Sequence, residues 1–241
     1  MPPFIKQRAS SSDHWISLSD IMTALMMIFL LISIIYMIRV KESVDIPRIF
    51  KADEQQLYSQ LEKKLKVKLT KWGATLSPDL TVRFSNEDIL FKAGSANLSS
   101  EFKQALDGYF PDYLRLIMQD KFIKNIKEIR IEGHTSSFWA KGVSEEVAYI
   151  NNMQLSQQRA QNTLIYLLQS TQLTVPEKEW LKKKFRAIGY SSALPLGGDG
   201  KPAGKLNLEN YSASQRVEFR VVTTAEDKIR AVAYGVNNGT Y

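Results

Sequence analysis

The chain of 241 residues has no cysteine and two histidines, His14 and His134. Without cysteine there is no disulfide framework and no thiolate to bind a metal or act as nucleophile. The two histidines show neither HxxxH nor HxxE spacing, so a hydrolase-type metal site is not expected. A Ser-His-Asp set and a phosphate-cradling glycine loop are missing too, and the chain is not expected to be an enzyme. Charge of one sign does not dominate: Lys and Arg number 32 against 25 Asp and Glu, a formal net charge of +7. No basic tract is dense enough to point to direct nucleic-acid binding. The balance equally suits anionic lipid headgroups or an acidic polymer such as a cell wall.

What the chain does contain is one long apolar run, residues 15–38, reading WISLSDIMTALMMIFLLISIIYMI. A helix rises about 1.5 Å per residue, so this run spans roughly 36 Å, enough to cross a hydrocarbon core of about 30 Å. A single segment cannot close a barrel, and only helices or closed barrels satisfy their backbone in lipid, so a transmembrane helix is expected. It is too long for an ordinary cleaved leader, and it continues through YMIRVKES without a small-residue cleavage site. A retained anchor is therefore expected.

One carboxylate, Asp20, lies inside this run. An Asp in a membrane helix costs a few kcal/mol and commonly marks an ion or proton pathway. It also stands near the helix start, where the positive end of the helix dipole stabilises a carboxylate. Ser19 and Thr23 flank it, able to bond the carboxylate or an ion, or simply the helix backbone. Residues 1–14 form a polar tail with Lys6 and Arg8, and Asp13 is placed to cap the helix. Arg39, Lys41, Arg48 and Lys51 follow the helix, so the count of basic residues leaves its orientation open.

Residues 39–78 read as a connecting segment interrupted by Pro47. In its second half Leu57, Leu61, Leu65 and Leu69 recur every fourth residue, with Tyr58 and Trp72 beside them. That is one apolar stripe on an otherwise polar helix. It can pack on its own domain, pair with a second copy or lie on a membrane surface.

From residue 79 to 224 short strands alternate with helices. Strands are expected at 80–84, 89–91, 126–132, 185–188 and 217–222. Helices are expected at 99–118, capped by Ser99 or Ser100, at 154–169, and from Pro176 onward. This pattern implies an α/β sandwich, a sheet with helices on one face. Residues 197–211 read as a loop and 225–241 as a C-terminal tail.

Two blocks in this domain carry a resemblance. Gly133-His134-Thr135 is followed by Asn152, Leu155, Ser156, Arg159 and Ala160; Ala187 to Tyr190 is followed by Arg216-Val217-Glu218-Phe219-Arg220. With LFKAGSANLS at 90–99, these resemble the GHTD, NxxLSxxRA and NRRVEF motifs of the OmpA-like peptidoglycan-binding domain. Trp15 to Thr23, WISLSDIMT, resembles the helix start of MotB-type stator subunits. The apolar continuation ALMMIFLLISI is more similar to the ZorB stator-like subunits of the Zorya anti-phage defence system.

The resemblance implies that Asp20 carries a permeating proton or sodium ion, with Thr23 and Ser19 as further candidates, and that no resident cofactor is needed. It implies a homodimer surrounded by multi-helix MotA- or ZorA-like subunits, five to two. It also places the chain once across the inner-membrane lipid bilayer, with a cytoplasmic N-terminus and a periplasmic domain. In that domain Arg159 would grip a carboxylate of the diaminopimelate in peptidoglycan, with Asn152, Leu155, Thr135 and Ser136 in the same pocket. Leu155 is as readily a packing residue, and Arg159 could instead pair with Glu145 or Glu146. The chain departs from the motif where the usual acid of GHTD is Ser136, for which Glu145 or Glu146 could substitute. Phe138 and Trp139, in the segment that follows, could stack on sugars or anchor the loop.

Overall fold

The computed structural model describes residues 12–85, 87–92, 94–225 and 227; most of each expected tail lies outside them. Helix α1 (Ser12–Lys71) is 60 residues long. Its stretch Leu18–Lys41, 24 residues of mean hydropathy 2.7, is long and apolar enough to cross a membrane. The large apolar side chains from Leu18 to Ile38 are exposed all round the helix, a surface suited to lipid or protein contact rather than water. The expected break at Pro47 is not seen. Proline removes one N–H from the ladder, yet the backbone stays helical through it to Lys71.

Residues Ile49–Asp227 pack as a unit of their own. Here the leucine stripe finds its partner. Leu57, Leu61, Leu65 and Leu69 are each no more than 3% exposed and belong to the core of this unit. Of the three readings of the stripe, packing on its own domain is the observed one. Polar ties flank it: Thr223 Oγ1 donates to Glu54 at 2.8 Å, Asn125 to Asp53 at 2.9 Å, and Lys64 pairs with Asp112 at 3.1 Å.

After α1 come β1 (Ala74–Leu76), β2 (Thr81–Phe84), α2 (Glu87–Leu90), α3 (Ser100–Ile117), α4 (Asp120–Ile123) and β3 (Ile126–His134). Then follow α5 (Glu145–Gln169), α6 (Val175–Lys184), β4 (Phe185–Gly189), α7 (Tyr211–Ser214) and β5 (Arg216–Thr223). The five strands form one sheet in the order β1-β2-β5-β3-β4, with β3 and β4 parallel and the other pairs antiparallel. The parallel pair is joined through α5 and α6, as a parallel connection requires.

The strand expected at 89–91 is replaced by α2 and a single bridge from Phe91 to Leu98. Leu90 and Phe91 are both buried, and consecutive strand residues point to opposite faces, so a one-sided sheet could not cover both. Strand β1 and helices α4 and α7 were not legible in the sequence, and α5 begins nine residues earlier than expected. Ser144 caps α5 by accepting from the Val147 N–H at 3.4 Å. Ser99 caps α3, accepting from the Phe102 N–H at 2.9 Å and donating to the carbonyl of Ile89. Helix α6 opens with a capping box between Thr174 and Glu177, with Pro176 in its first turn.

The two faces of the sheet differ in kind. Val82, Phe84, Ile129, Ile131, Val217, Phe219 and Val221 face the core. Around Phe219 the rings of Phe84, Tyr109, Phe110 and Tyr113 pack with centroids 5.9 to 6.4 Å away. The alternate residues of the same strands, Arg83, Glu132, His134, Arg216, Glu218 and Arg220, share the opposite face and bond to one another.

Candidate functional site

The expected site residues fall in two places. In α1, Thr23 Oγ1 donates to the carbonyl of Ser19 at 2.8 Å, the ordinary back-bond of a helix hydroxyl. Asp20 lies on the exposed helix surface beside them. An isolated helix has nothing to pack against this carboxylate, so a second protein would have to supply the surroundings of an ion path.

The other residues converge where β3 ends. Gly133 has no side chain for a packing reason: a Cβ there would lie 2.2 Å from the carbonyl oxygen of Ser156, so α5 presses directly on the strand. Gly189 of β4 is constrained in the same way, 2.5 Å from the backbone nitrogen of Gln157. The Gln157 amide then completes the edge of the sheet, accepting from Gly189 N–H at 2.7 Å and donating to Ala187 O at 3.2 Å. These close approaches set Asn152, Ser156 and Arg159, successive turns of α5, against the C-terminal end of β3.

Asn152, Ser156 and Arg159 are buried, as are Thr135 and Ser136 beyond the strand. The Thr135 N–H donates to Ser191 O at 2.9 Å, the Ser191 N–H donates to Ser156 Oγ at 3.0 Å, and Ser191 Oγ donates to Tyr149 O at 2.7 Å. Thr135 Oγ1 and Asn152 Nδ2 are buried with no hydrogen-bond partner among the described residues. Leaving such groups unpaired costs about 1–3 kcal/mol each, a cost that a polar ligand would remove. Leu155 is a buried apolar residue beside them, consistent with packing.

Arg159 is 1% exposed. Its Nε donates to Ser95 O at 3.1 Å, one Nη reaches Gln215 Oε1 at 3.4 Å, and the guanidinium lies 4.7 Å from the Phe91 ring centroid. Phe91 and Ser95 therefore border it, and Asn162 secures the chain beside them by donating to Ala96 O at 2.8 Å. These contacts hold the guanidinium in one orientation.

Ser136, in the place of the usual acid, is buried, with Oγ 3.4 Å from Phe138 O. Glu145 and Glu146 lie exposed in the first turn of α5, and hydrogen bonds to its own backbone and to Ser144 hold the Glu146 carboxyl below its ordinary range. The carboxylate that does reach this segment is Glu209. It accepts from the Ser137 N–H at 3.0 Å and from the Ser137 hydroxyl. Sequence reasoning missed it because Glu209 lies in a loop some seventy residues away. Phe138 stacks on Tyr211 at 5.9 Å, and both rings are exposed, while Trp139 is 38% exposed; neither Phe138 nor Trp139 is a buried loop anchor.

The same strand end also carries the polar face of the sheet. Glu218 accepts from Arg83 Nε and Arg216 Nε at 2.7 Å each and from Arg220 Nη2 at 3.1 Å; Arg220 also reaches Glu132 at 3.3 Å. His134 stacks on Tyr190 at 5.0 Å, with Nε2 3.6 Å from Glu132. Glu132, His134 and Glu218 bring possible metal-binding atoms within 4.8 Å of one another. Arg83 and Arg216 pair with Glu218 and Arg220 with both carboxylates, while Glu132 Oε1 and both ring nitrogens of His134 have no hydrogen-bond partner among the described residues.

No protein-family model matches the chain. Among solved structures, a MotB-like protein from Desulfovibrio vulgaris is similar at 20% identity and a TM-score of 0.50, covering 73% of this chain and 98% of its own. The cell wall anchor of the T6SS from Pseudomonas aeruginosa is 22% identical with a TM-score of 0.44, over 68% and 96% of the two chains. The first likeness confirms the expected α/β architecture of the domain. In sequence, the Zorya protein ZorB of Escherichia coli (strain ATCC 8739) is 38% identical over 233 residues, 95% of this chain and 95% of that protein. Identity of this extent over nearly the full length of both proteins makes the chain a member of the ZorB family.

Proposed function

We propose that the chain is the B subunit of a stator-like inner-membrane motor in Zorya anti-phage defence. In this reading α1 supplies an ion-carrying helix, and the domain beyond it holds that helix to peptidoglycan. The observation that carries the proposal is the end-to-end identity to a Zorya protein ZorB, in a chain whose membrane-length helix contains one carboxylate, Asp20. One helix cannot build a channel, so the ion path requires a multi-helix partner of the MotA or ZorA kind. We further propose two copies of this chain within a ring of five partner subunits, with the N-terminus in the cytoplasm and the domain in the periplasm.

In operation Asp20 takes a proton or sodium ion from one side of the membrane and gives it up to the other as the partner ring moves past. One charge crossing 100 mV releases about 2.3 kcal/mol, enough to bias a conformational step. Ser19 and Thr23 lie within a turn of Asp20 and can contribute ligands. A moving ring needs a fixed centre, and the wall supplies it. Arg159 would hold a wall-peptide carboxylate, with Thr135, Asn152 and Ser136 lining the pocket and Leu155 packing its side.

Deletion of the chain from its host tests the biological assignment. Loss of protection against phage with swimming unchanged is the expected result. Loss of swimming with phage sensitivity unaltered would transfer the chain to flagellar service.

A further inference from the structure

A second buried cluster occupies the polar face of the sheet. Glu132 and His134 alternate along β3, so both side chains point to that face, and Glu218 of β5 is the direct cross-strand partner of Glu132. All three residues are no more than 1% exposed. One donor atom from each lies within 4.8 Å of the other two, and His134 Nε2 is 3.6 Å from Glu132 Oε2. Both ring nitrogens of His134 and Oε1 of Glu132 have no hydrogen-bond partner among the described residues. Buried polar atoms left unpaired are unfavourable, and a ligand seated between them removes that penalty.

The neighbouring arginines do not forbid a cation. Arg83, Arg216 and Arg220 pair with Glu218, and Arg220 also lies 3.3 Å from Glu132 and 3.3 Å from Asp79. Three guanidiniums thus face three carboxylates, leaving no net formal charge to repel an ion. Hydrogen bonds of this kind also orient carboxylates, as outer partners orient the ligands of metal sites.

We infer that Glu132, His134 and Glu218 form a binding site for a divalent transition-metal ion, zinc being the best fit. One imidazole and two carboxylates are a donor set that zinc takes at about 2.0–2.2 Å, with water as the fourth ligand. Donors at tetrahedral angles stand about 3.4 Å apart. A spread of at most 4.8 Å therefore closes by no more than about 1.4 Å, within reach of side-chain rotation. The ion is structural and ties β3 to β5. Residues 190–200 shield it from any substrate: Tyr190 stacks on His134 at 5.0 Å, and Arg216 and Arg83 donate to Leu194 O and Gly200 O, both at 3.1 Å. Helical motif spacings do not reveal such a site, because its donors meet across two strands.

The test uses the full chain in detergent, purified without a histidine tag, stripped with chelator, incubated with excess zinc chloride and desalted. Wild type should retain about one zinc ion per chain by elemental analysis. Its domain melt should rise by about 5–10 °C at zinc a hundredfold above the dissociation constant. His134→Phe keeps a ring against Tyr190 but has no donor; it should retain no zinc and melt alike with and without it. Glu132→Gln should bind at least about tenfold more weakly. His14→Gln, at the other histidine of the chain, should bind as wild type does. No zinc on wild type, or equal retention by His134→Phe, overturns the inference. Should His134→Phe fail to fold, X-ray absorption of zinc-loaded wild type decides instead. One imidazole among nitrogen and oxygen ligands is expected; a shell with none, or with more than one, overturns the site. Neither outcome bears on wall binding, which uses other residues.

Discussion

Arg216 and Glu218 stand two residues apart on β5, on the same face of the sheet, and Arg216 Nε donates to Glu218 Oε1 at 2.7 Å although both residues are buried. Burying two charges is unfavourable unless each is matched, and removing one partner strands the other, at a cost of about 3–5 kcal/mol. Glu218→Gln should therefore lower the stability of the domain by about that amount, seen as a shift in its urea midpoint. The double change Arg216→Met with Glu218→Leu should cost less than Glu218→Gln alone, because it leaves less charge unmatched.

The same network sets an acid limit. Burial alone would raise the Glu218 carboxyl, but its pairing with Arg216, with smaller help from His134 and Arg83, prevails and holds it at about 2 against an ordinary 4.5. In the unfolded chain this group binds its proton near the ordinary value, so its contribution is complete above about 4.5 and lost as pH falls toward 2. The amount at stake is about 3 kcal/mol. Burial pushes His134 below its ordinary 6.5, so its contribution is complete above that value and declines as pH falls beneath it. Thermal melts from pH 7 to 3 should show a first, small decline below 6.5 and a steeper one below 4.5. A Glu218→Gln variant should lose most of the second.

Leu61 and Val67 lie six residues apart on α1 and have opposite environments, at 0% and 83% exposure. Leu61→Ala should destabilise the domain by about 2–5 kcal/mol. Val67→Thr should stay within about 0.5 kcal/mol of wild type. Calorimetry on the two variants separates a stripe built into its own domain from one kept for a second copy.

Gly133→Ala introduces a methyl group 2.2 Å from the Ser156 carbonyl oxygen, so α5 must move off the sheet. The expected loss is at least 2–3 kcal/mol, of the order seen for overpacking in a rigid core. Because Asn152 and Arg159 move with α5, the fraction that stays folded should also bind sacculi less well than wild type in a pull-down.

The main lines of this molecule were legible in the sequence because they follow from periodicity. The apolar run of α1, the leucine stripe, the apolar face of 154–169 and the alternating β3 and β5 all declared themselves. What failed had physical reasons. A four-residue spacing cannot say what covers a stripe, and Pro47 weakens a helix without having to end it. Leu90 and Phe91 look like strand residues until both prove buried, which a short helix achieves and a one-sided strand does not. The motif residues Thr135, Asn152 and Arg159 were found by pattern. Glu209 was not, because its link to Ser137 crosses 72 residues and depends on how a loop without periodicity folds back. Arg216, Glu218 and Arg220 alternate along β5, but their pairing with one another and with Arg83 and Glu132 became clear only from strand order.

The central claim is that Asp20 carries the ion that drives the motor. The direct measurement is the efficiency of plating of phage on cells expressing the complete system with Asp20→Asn, at matched protein levels and with membrane insertion verified. Asparagine keeps the size of the side chain but cannot release a proton or hold a cation by charge. The account predicts that protection falls to the level of cells lacking the chain. Protection equal to wild type would contradict it and leave the chain a passive tether to the wall.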